Sequence, residues 1–168
     1  AGWNIAIKEA QGDIILRIDA HTKIPSQFVT NSVKSIESGE WVTGGPRPNI
    51  AEKNTPWKYT LLLAEKSMFG SSIASYRQSG QKRYVKSVFH GAYRKEVFDK
   101  AGLFNENLGR TEDNEMHYRI RKAGYKICYD PEIISYQHTR GTWYGMIRQK
   151  YGNGYWIGLT LGVCPKCF

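Results

Sequence analysis

The chain has 168 residues and a mass of 19.2 kDa, which suits one compact domain and is too small for two ordinary ones. Hydrophobic residues make up 40% of it and charged residues 23%, which excludes a disordered, collagen-like or coiled-coil chain. The net charge of +9 at pH 7 indicates an anionic partner, such as a nucleotide sugar, a nucleic acid or an acidic membrane surface. Because no nucleic-acid-binding signature accompanies this charge, we expect no nucleic-acid partner.

The first expected elements are a helix and a buried strand. Apolar residues recur at helical spacing from Trp3 to Ala10, and Gly12 supplies a stop. The apolar run from Asp13 to Asp19 has the length of a strand and ends on a carboxylate, which is typical of a buried strand in a parallel-type sheet. Because the carboxyl ends of such strands bind ligands in open α/β sheets, Asp19 is expected at a ligand-binding edge.

Two helices and a turn-rich loop are expected next. Ser26 and Thr55 are each predicted to cap a helix. Between these helices, a short strand at 41–43 leads into a loop that starts with Gly44 and Gly45.

The second half of the chain alternates between strand and helix. The polar segment 70–83 predicts a mobile flap. The elements after it are a strand over 85–93, helices over 96–101 and 112–123, strands over 126–129 and 133–136, and a helix from about 142. This alternation indicates a layered α/β domain. We assign the catalytic part to 1–141 and a helical, membrane-proximal segment to 142–168.

Three cysteines are an odd number, so a disulfide framework is not expected and a reducing cytoplasm is the natural compartment. Cys164 and Cys167 form a lone CxxC, which is half of a tetrahedral zinc site, so an incidental pair is favoured over zinc. The sequence has no signal peptide and no apolar run long enough to span a bilayer. The short apolar stretch 155–163 leaves two alternatives open, a segment that lies on a membrane or one that leads into a span.

Asp19 and His21, two positions apart after the predicted strand, form a candidate divalent-metal site. A carboxylate, an imidazole and substrate phosphates suit Mg²⁺ or Mn²⁺, and such an ion neutralises the charge that develops on a diphosphate leaving group. The simpler alternative is that Asp19 caps a loop, as aspartates after strands often do.

Thr111 is predicted to cap the helix over 112–123, and two adjacent carboxylates follow it at the start of that helix. The helix dipole stabilises acidic residues there, and this is the purely structural alternative. Asp113 shares a helix face with Met116 and Ile120, so its carboxylate is expected to point inward while Glu112 turns away. An inward carboxylate over a cleft is suited to act as a general base towards a hydroxyl group.

Four blocks of sequence, in this order, resemble the motifs of family 2 glycosyltransferases. They are the strand and DxD-type motif at 12–21, the acceptor-side segment at 89–106, the ED motif at 111–115 with its helix at 119–124, and a C-terminal block at 136–140 and 148–152. The last block is most similar to succinoglycan-type exopolysaccharide enzymes. Gln137 and Arg140 fit the QxxRW motif, but Gly141 replaces its Trp, which disfavours a processive synthase.

The resemblance implies an α/β fold with a layered mixed sheet flanked by helices, the C-terminal part of the nucleotide-diphospho-sugar transferase (GT-A type) fold without the N-terminal part that holds the nucleotide base. It implies sugar transfer from a nucleotide-diphosphate donor to a saccharide or lipid-linked acceptor, with Mg²⁺ or Mn²⁺, at the cytoplasmic face of the bacterial membrane. By the same resemblance, Asp19 is the first DxD aspartate, His21 stands where the second usually is, and His138 is a late metal ligand. Asp113, beside Glu112, becomes the catalytic base of an inverting displacement.

Further residues are candidates for binding the donor or the acceptor. Gly44 and Gly45 resemble a family position beside the acceptor, although a double glycine is first of all a turn. His90 and Gly91 lie in the acceptor-side segment, where His90 alternatively closes a strand. Arg140, Arg148 and Gln149 are candidates for binding the diphosphate, because a guanidinium fork suits phosphate oxygens. The alternative is that they are ordinary polar residues of the protein surface.

Two rival functions remain open at the level of the sequence. A nucleotidyltransferase shares the α/β layering and an acidic metal site, but it needs a phosphate-binding loop near its N-terminus. A non-catalytic basic module for an anionic polymer needs an exposed basic stripe with interleaved aromatic residues, whereas the aromatic residues here fall mostly at apolar-periodic positions.

Overall fold

The computed structural model describes residues 2–20, 22–51, 55–67 and 80–168. The helices are α1 (Gly2–Glu9), α2 (Phe28–Glu37), α3 (Pro56–Lys66), α4 (Glu96–Ala101), α5 (Glu112–Lys122) and α6 (Trp143–Val163). The strands are β1 (Ile14–Leu16), β2 (Thr22–Lys23), β3 (Val42–Gly44), β4 (Asn49–Ile50), β5 (Arg83–Tyr84), β6 (Ala92–Arg94), β7 (Ile127–Tyr129) and β8 (Tyr136–His138). The predicted mixed α/β class is confirmed, whereas most of the predicted flap at 70–83 lies outside the described residues.

Two sheets organise the described residues. The larger has the order β1-β6-β3-β7-β5, in which only the β3–β7 pairing is parallel. The smaller has the order β2-β8-β4, with β2 antiparallel and β4 parallel to β8. Each strand of the smaller sheet follows a strand of the larger sheet in the sequence: β2 follows β1, β4 follows β3, and β8 follows β7.

The strand that carries Asp19 differs from its prediction. β1 is only three residues long, its side chains are half-buried, and it forms an edge of the larger sheet by antiparallel pairing with β6. One more bond follows the paired residues, from the backbone N–H of Arg17 to the Gly91 carbonyl (3.0 Å), and the chain then continues to β2. The prediction of a buried strand in a parallel-type sheet is therefore wrong.

The core lies between the larger sheet and the helices α4 and α5. Val42, Ile127, Met116 and Ile120 are at most 1% exposed, and burying each such side chain contributes about 1.5–3 kcal/mol. Arg119 fastens α5 to the end of α4, because it pairs with Glu115 through two short contacts (2.7 and 2.8 Å) and donates to the carbonyl groups of residues 101 and 103.

Two of the three predicted helix caps differ in the structure. Thr55 caps α3 as predicted, since its hydroxyl accepts from the Lys58 amide (3.3 Å). Ser26 is not a cap, because α2 begins at Phe28 and is preceded by Gln27 without a side-chain bond. Thr111 precedes α5, but its hydroxyl contacts another side chain and caps no amide.

The C-terminal helix α6 exposes most of its surface. Only Met146 and Thr160 are buried in it, and the hydroxyl of Thr160 contacts that of Thr111. No helix among the described residues is long and apolar enough to cross a membrane. Beyond α6, Cys164 and Cys167 form a disulfide, so the expectation of an incidental, unbonded pair is wrong.

Candidate active site

A buried arginine stands at the centre of the site. Arg17 follows β1, is 9% exposed, and lies over the rings of Trp3 (5.1 Å) and Phe104 (5.4 Å). Its Nη2 donates to Oε1 of Glu112 at 2.7 Å. Burial alone lowers the pKa of Arg17, but the acidic groups around it, led by Asp113, raise it overall, so the guanidinium stays charged.

Asp113 lies in the first turn of α5 and is 8% exposed. Its carboxylate accepts a hydrogen bond from the Asn114 amide (2.8 Å), and no side chain of the described residues donates to it. Burial raises the pKa of Asp113 to about 6, although the neighbouring Arg17 opposes the rise. The predicted inward orientation of Asp113 is thus seen in the structure.

Glu112 does not turn away from the protein as predicted from the helix phase. Its side chain is 15% exposed and is held in the ion pair with Arg17. The phase argument failed because it considered only the faces of α5, and the partner of Glu112 comes from a segment 95 positions earlier.

His90 links both sheets next to Asp19. It is 3% exposed, and its ring nitrogens bond to the hydroxyls of Thr22 (3.1 Å) and Ser135 (2.8 Å). The Nε2 atom lies 3.7 Å from Oδ2 of Asp19. Burial lowers the pKa of His90, and the nearby Asp19 only partly offsets this, which favours a neutral ring. Gly91 next to it accepts the backbone bond from Arg17 (3.0 Å).

A polar pocket of about 510 Å³ opens beside Asp19. It is lined by residues of the smaller sheet and its flanks, namely Ala20, Thr22, Lys23, Gln137, His138, Thr139, Arg140 and Gly141. Three buried polar atoms of this lining have no hydrogen-bond partner among the described residues, Oε1 of Gln137, Nδ1 of His138 and Oγ1 of Thr139. Buried polar atoms without partners are unusual in proteins, and here they border a pocket that has room for a polar ligand.

The predicted metal ligands are only partly brought together. His21 lies outside the described residues. Across the parts of the chain that the structure describes, no three side chains of the His, Cys, Asp and Glu types cluster as a metal site. His138 lines the polar pocket, and Asp19 directly precedes Ala20 of the same lining.

The two glycines of the β3 end are closely surrounded. A Cβ on Gly44 would lie 2.8 Å from the Cβ of Val88, and one on Gly45 would overlap the carbonyl groups of residues 130 and 133. The space next to both glycines is therefore filled by other residues of the protein, and this packing explains the glycines without an acceptor. Of the three predicted diphosphate ligands, Arg140 lines the polar pocket, whereas Arg148 and Gln149 lie on α6 outside that lining.

Three buried residues of this region were not predicted as part of the site. Arg17 was visible as a single charge within the apolar run 14–18, which is a recognisable signal. Arg47 is 5% exposed and lies over the ring of Phe89 (3.3 Å). His117 is fully buried, bonds to Ser87 (2.8 Å) and to the Tyr93 hydroxyl (2.9 Å), and has its pKa lowered to about 3 by burial.

Comparison with known sequences identifies the family. The sequence model of glycosyl transferase family 2 matches residues 1–102, more than half of the chain. The chain belongs to glycosyl transferase family 2. The match covers the segment with Arg17, Asp19 and His90, while the carboxylate pair on α5 lies beyond it.

Two curated relatives are similar along almost the whole chain. The succinoglycan biosynthesis protein ExoA of Rhizobium meliloti (strain 1021) is 25% identical over 159 residues, which are 92% of this chain and 47% of the relative. A Methanococcus voltae enzyme, dolichyl N-acetyl-alpha-D-glucosaminyl phosphate 3-beta-D-2,3-diacetamido-2,3-dideoxy-beta-D-glucuronosyltransferase, is 24% identical over 95% of this chain and 51% of its own length. The chain thus spans about half the length of these relatives.

Solved structures confirm the GT-A type fold. The crystal structure of GalNAc-T7 with UDP, GalNAc and Mn²⁺ superposes with a TM-score of 0.55 and 16% identity, covering 81% of this chain and 29% of that one. The crystal structure of S. aureus TarS gives a TM-score of 0.54 at 16% identity, covering 81% of this chain and 23% of the other. The fold class expected from the sequence is thus confirmed.

Proposed function

We propose that this chain carries the catalytic base of an inverting transfer, from a nucleotide-diphosphate sugar to a hydroxyl of a saccharide or lipid-linked acceptor, and that the base is Asp113. One observation carries the proposal. Of the two adjacent carboxylates, Glu112 is engaged in the ion pair with Arg17, whereas Asp113 is buried and has no side-chain donor among the described residues.

The reaction needs one proton acceptor. The Asp113 carboxylate takes the proton of the acceptor hydroxyl while the hydroxyl oxygen bonds to the anomeric carbon, and the bond from that carbon to the diphosphate oxygen breaks on the opposite face. A single displacement of this kind inverts the anomeric configuration. A pKa of about 6 leaves Asp113 mostly ionised near neutral pH and makes it a stronger base than an ordinary aspartate.

The polar pocket suits the donor diphosphate and a divalent ion. Lys23 and Arg140 supply positive charge, and the unpartnered Nδ1 of His138 and the carboxylate of Asp19 are donors of the kind that Mg²⁺ and Mn²⁺ accept. A bound divalent ion supplies charge neutralisation of the leaving diphosphate. The relative crystallised with UDP and Mn²⁺ supports this assignment. Asp19, His138 and also His21 are the residues that we propose to hold the ion.

Two observations suggest where the acceptor binds and what kind of molecule it is. We propose that the acceptor hydroxyl approaches Asp113 from the side of His90 and Gly91, where Arg17 and Arg47 add positive charge. The dolichyl phosphate compound in the name of the Methanococcus relative supports a lipid-linked saccharide as acceptor.

The test uses a pair of variants of the full-length enzyme. Asp113→Asn keeps the shape but removes the proton acceptor, so turnover falls by about 10²–10⁴-fold with nearly unchanged donor binding. The same substitution stabilises the fold at pH 7 by up to about 3 kcal/mol, because a buried carboxyl whose pKa is raised from 3.8 to about 6 loses stability as the pH rises through that window. Near-normal turnover of Asp113→Asn contradicts the assignment.

Glu112→Gln is the matched control for this experiment. It removes the neighbouring carboxylate and leaves Asp113 in place, so it should impair the chemical step less than Asp113→Asn does. It should also destabilise the fold at pH 7, because the buried Arg17 loses its partner. We therefore expect Asp113→Asn to stabilise the fold and to slow turnover strongly, and Glu112→Gln to destabilise the fold and to slow turnover less.

Metal binding is tested by calorimetry with Mn²⁺ and a nucleoside diphosphate. Asp19→Ala and His138→Ala should weaken binding, whereas Arg148→Ala, which changes an exposed residue outside the pocket, should leave it unchanged. Equal binding by the wild type and Asp19→Ala contradicts the proposed site.

We also propose that α6 lies on an anionic membrane surface. Residues 133–168 contain four basic residues and no acidic one, and exposed aromatic side chains such as Tyr144 (74%) and Tyr151 (76%) cover the helix. Aromatic and basic residues together favour the interface of anionic bilayers. Sedimentation with phosphatidylglycerol vesicles should recover the enzyme, and Tyr144→Ser with Tyr151→Ser should reduce it, whereas Tyr84→Ser on β5 should not. Equal binding to purely zwitterionic vesicles contradicts the role of charge.

A further inference from the structure

The adjacent carboxylates of α5 share one buried cation from a distant part of the chain. Arg17 reaches Glu112 with its Nη2 atom at 2.7 Å, and the side chains of both are at most 15% exposed. At such burial, the solvent screens the charges much less than on a surface, so the position of this guanidinium affects both carboxylates strongly.

Arg17 is fixed from several directions. The rings of Trp3 and Phe104 lie within 5.4 Å of its guanidinium carbon, and its backbone N–H is bonded to Gly91. The ring of Phe104 is itself held in place, because its residue exchanges two hydrogen bonds with Asn4 (2.8 and 2.9 Å). The guanidinium therefore has little freedom to leave Glu112 for Asp113.

We infer that Arg17 is a positioning residue, which withholds Glu112 from the reaction and sets the pH range over which Asp113 accepts a proton. This inference rests on the proposed role of Asp113 as the base. It adds that the choice between the two carboxylates, and the pH dependence of the enzyme, are decided by a residue of the segment after β1.

The charged groups that face Asp113 determine the sign of each effect. Arg17, on the segment after β1, and Arg47, on the loop after β3, favour the ionised form of Asp113, whereas Glu112 on α5 disfavours it. Tyr93 on β6 is neutral, because burial raises its pKa further above the ordinary value. Removal of Arg17 must raise the pKa of Asp113. Replacement of Glu112 by Gln must lower it, since the neighbouring negative charge that disfavours the ionised form of Asp113 is then gone while Arg17 stays in place.

The experiment measures the acid limb of kcat/KM against pH in the full-length enzyme, together with a ¹³C-carboxyl NMR titration of Asp113, assigned by the signal that Asp113→Asn lacks. Arg17 is the foremost of the charges that act on Asp113, and a nearby opposite charge shifts a carboxyl pKa by roughly 1–3 units. We therefore expect both midpoints to rise by about one pH unit or more in Arg17→Met and to fall in Glu112→Gln. The double variant should lie between them, and Arg17→Lys close to the wild type.

Arg94→Met is the matched control. Arg94 is a partly buried arginine whose guanidinium bonds to the carbonyl groups of residues 36 and 40, so its loss should reduce stability without moving either midpoint. If Arg17→Met does not fold, Arg17→Gln takes its place, because it removes the charge but keeps hydrogen-bond donors for Glu112, and the inference requires its midpoint to rise as well. Unmoved midpoints in Glu112→Gln, or shifts of the same sign in both single variants, overturn the inference.

The two proposals fail in different ways. If Asp113→Asn keeps its turnover, then Asp113 is not the base, yet the NMR titration still shows whether Arg17 controls its protonation. If Asp113→Asn is inactive while the midpoints ignore Arg17 and Glu112, the base assignment stands and the inference about Arg17 is wrong.

Discussion

Gly45 offers a sharp test of how the end of β3 is built. A Cβ added there would overlap the carbonyl oxygens of Ile133 and Asp130 and would lie 2.8 Å from the Ile133 carbonyl carbon. These are backbone atoms, so no rotamer change relieves the overlap. Relief requires the turn at 130–133 to move away from the strand to which it is bonded on both sides, through Asp130 N to Gly44 O (2.8 Å) and Ser135 N to Pro46 O (3.1 Å).

The expected cost of Gly45→Ala follows from these contacts. Overpacking costs about 1–3 kcal/mol, and each backbone hydrogen bond that is lost or stretched adds about 0.5–1.5 kcal/mol. We expect a destabilisation of about 2–5 kcal/mol, which corresponds to a fall in Tm of roughly 4–20 °C for a domain of this size. Because the displaced turn leads directly into β8, the polar pocket with Gln137 and His138 should be disturbed as well.

The assay is urea unfolding of three alanine variants. Gly44→Ala should cost less, because its nearest neighbours are side-chain atoms of Val88 at 2.8 and 2.9 Å. Gly154→Ala, inside α6 with no atom within 4 Å of the added Cβ, should be stabilised by about 0.5–1 kcal/mol. If Gly45→Ala stays within about 0.5 kcal/mol of the wild type and loses only acceptor binding, then the glycine makes room for a ligand and the packing argument is refuted.

The other predictions concern buried groups away from the reaction. Burial lowers the pKa of His117 to about 3, so its contribution to the free energy of unfolding is complete above the unfolded pKa of 6.5 and is lost as the pH falls towards 3. The difference in free energy of unfolding between the wild type and His117→Gln should therefore fall by about 1 kcal/mol per pH unit below 6.5. A difference that does not change with pH contradicts this prediction. Under native, non-reducing conditions a thiol reagent should find no reactive cysteine, and after unfolding it should find one, Cys128, whose pKa burial raises to about 12; three thiols after unfolding would contradict the disulfide.

The helices were largely predictable from the sequence, because their signals are local, whereas the strand predicted over 85–93 is confirmed only at 92–93, in β6. The helix predicted over 96–101 is α4 without any difference in bounds, and the helix after Thr111 differs from α5 by one residue. Apolar spacing, acidic first turns and glycines with positive φ, such as Gly124 (φ 94°), act within a few residues and can be recognised without the fold.

The strand pairings were not predictable, because a strand's partners are chosen by the whole fold. The run 13–19 has the same apolar character in a central strand and at an edge, and its antiparallel partner β6 lies far along the chain, beyond α2, α3 and several strands of the described residues. The arrangement of the site could not be predicted fully for the same reason, since it depends on residues that are distant in the sequence. The sequence identifies Asp113 as inward-facing, but Arg17 and Glu112 are 95 positions apart and meet only in the folded chain.

The contacts of α6 give this helix a second consequence. Asn153 bonds to Arg110 (2.9 Å), Trp156 packs against Gly109, and Thr160 touches Thr111, so one side of the helix grips the three residues that immediately precede the carboxylate pair. The opposite side is the exposed aromatic surface. A rigid helix that joins these two sides fixes the distance between them. If α6 lies on a membrane as proposed, Glu112 and Asp113 are held at a fixed distance from that surface, and only acceptors presented at that distance reach Asp113.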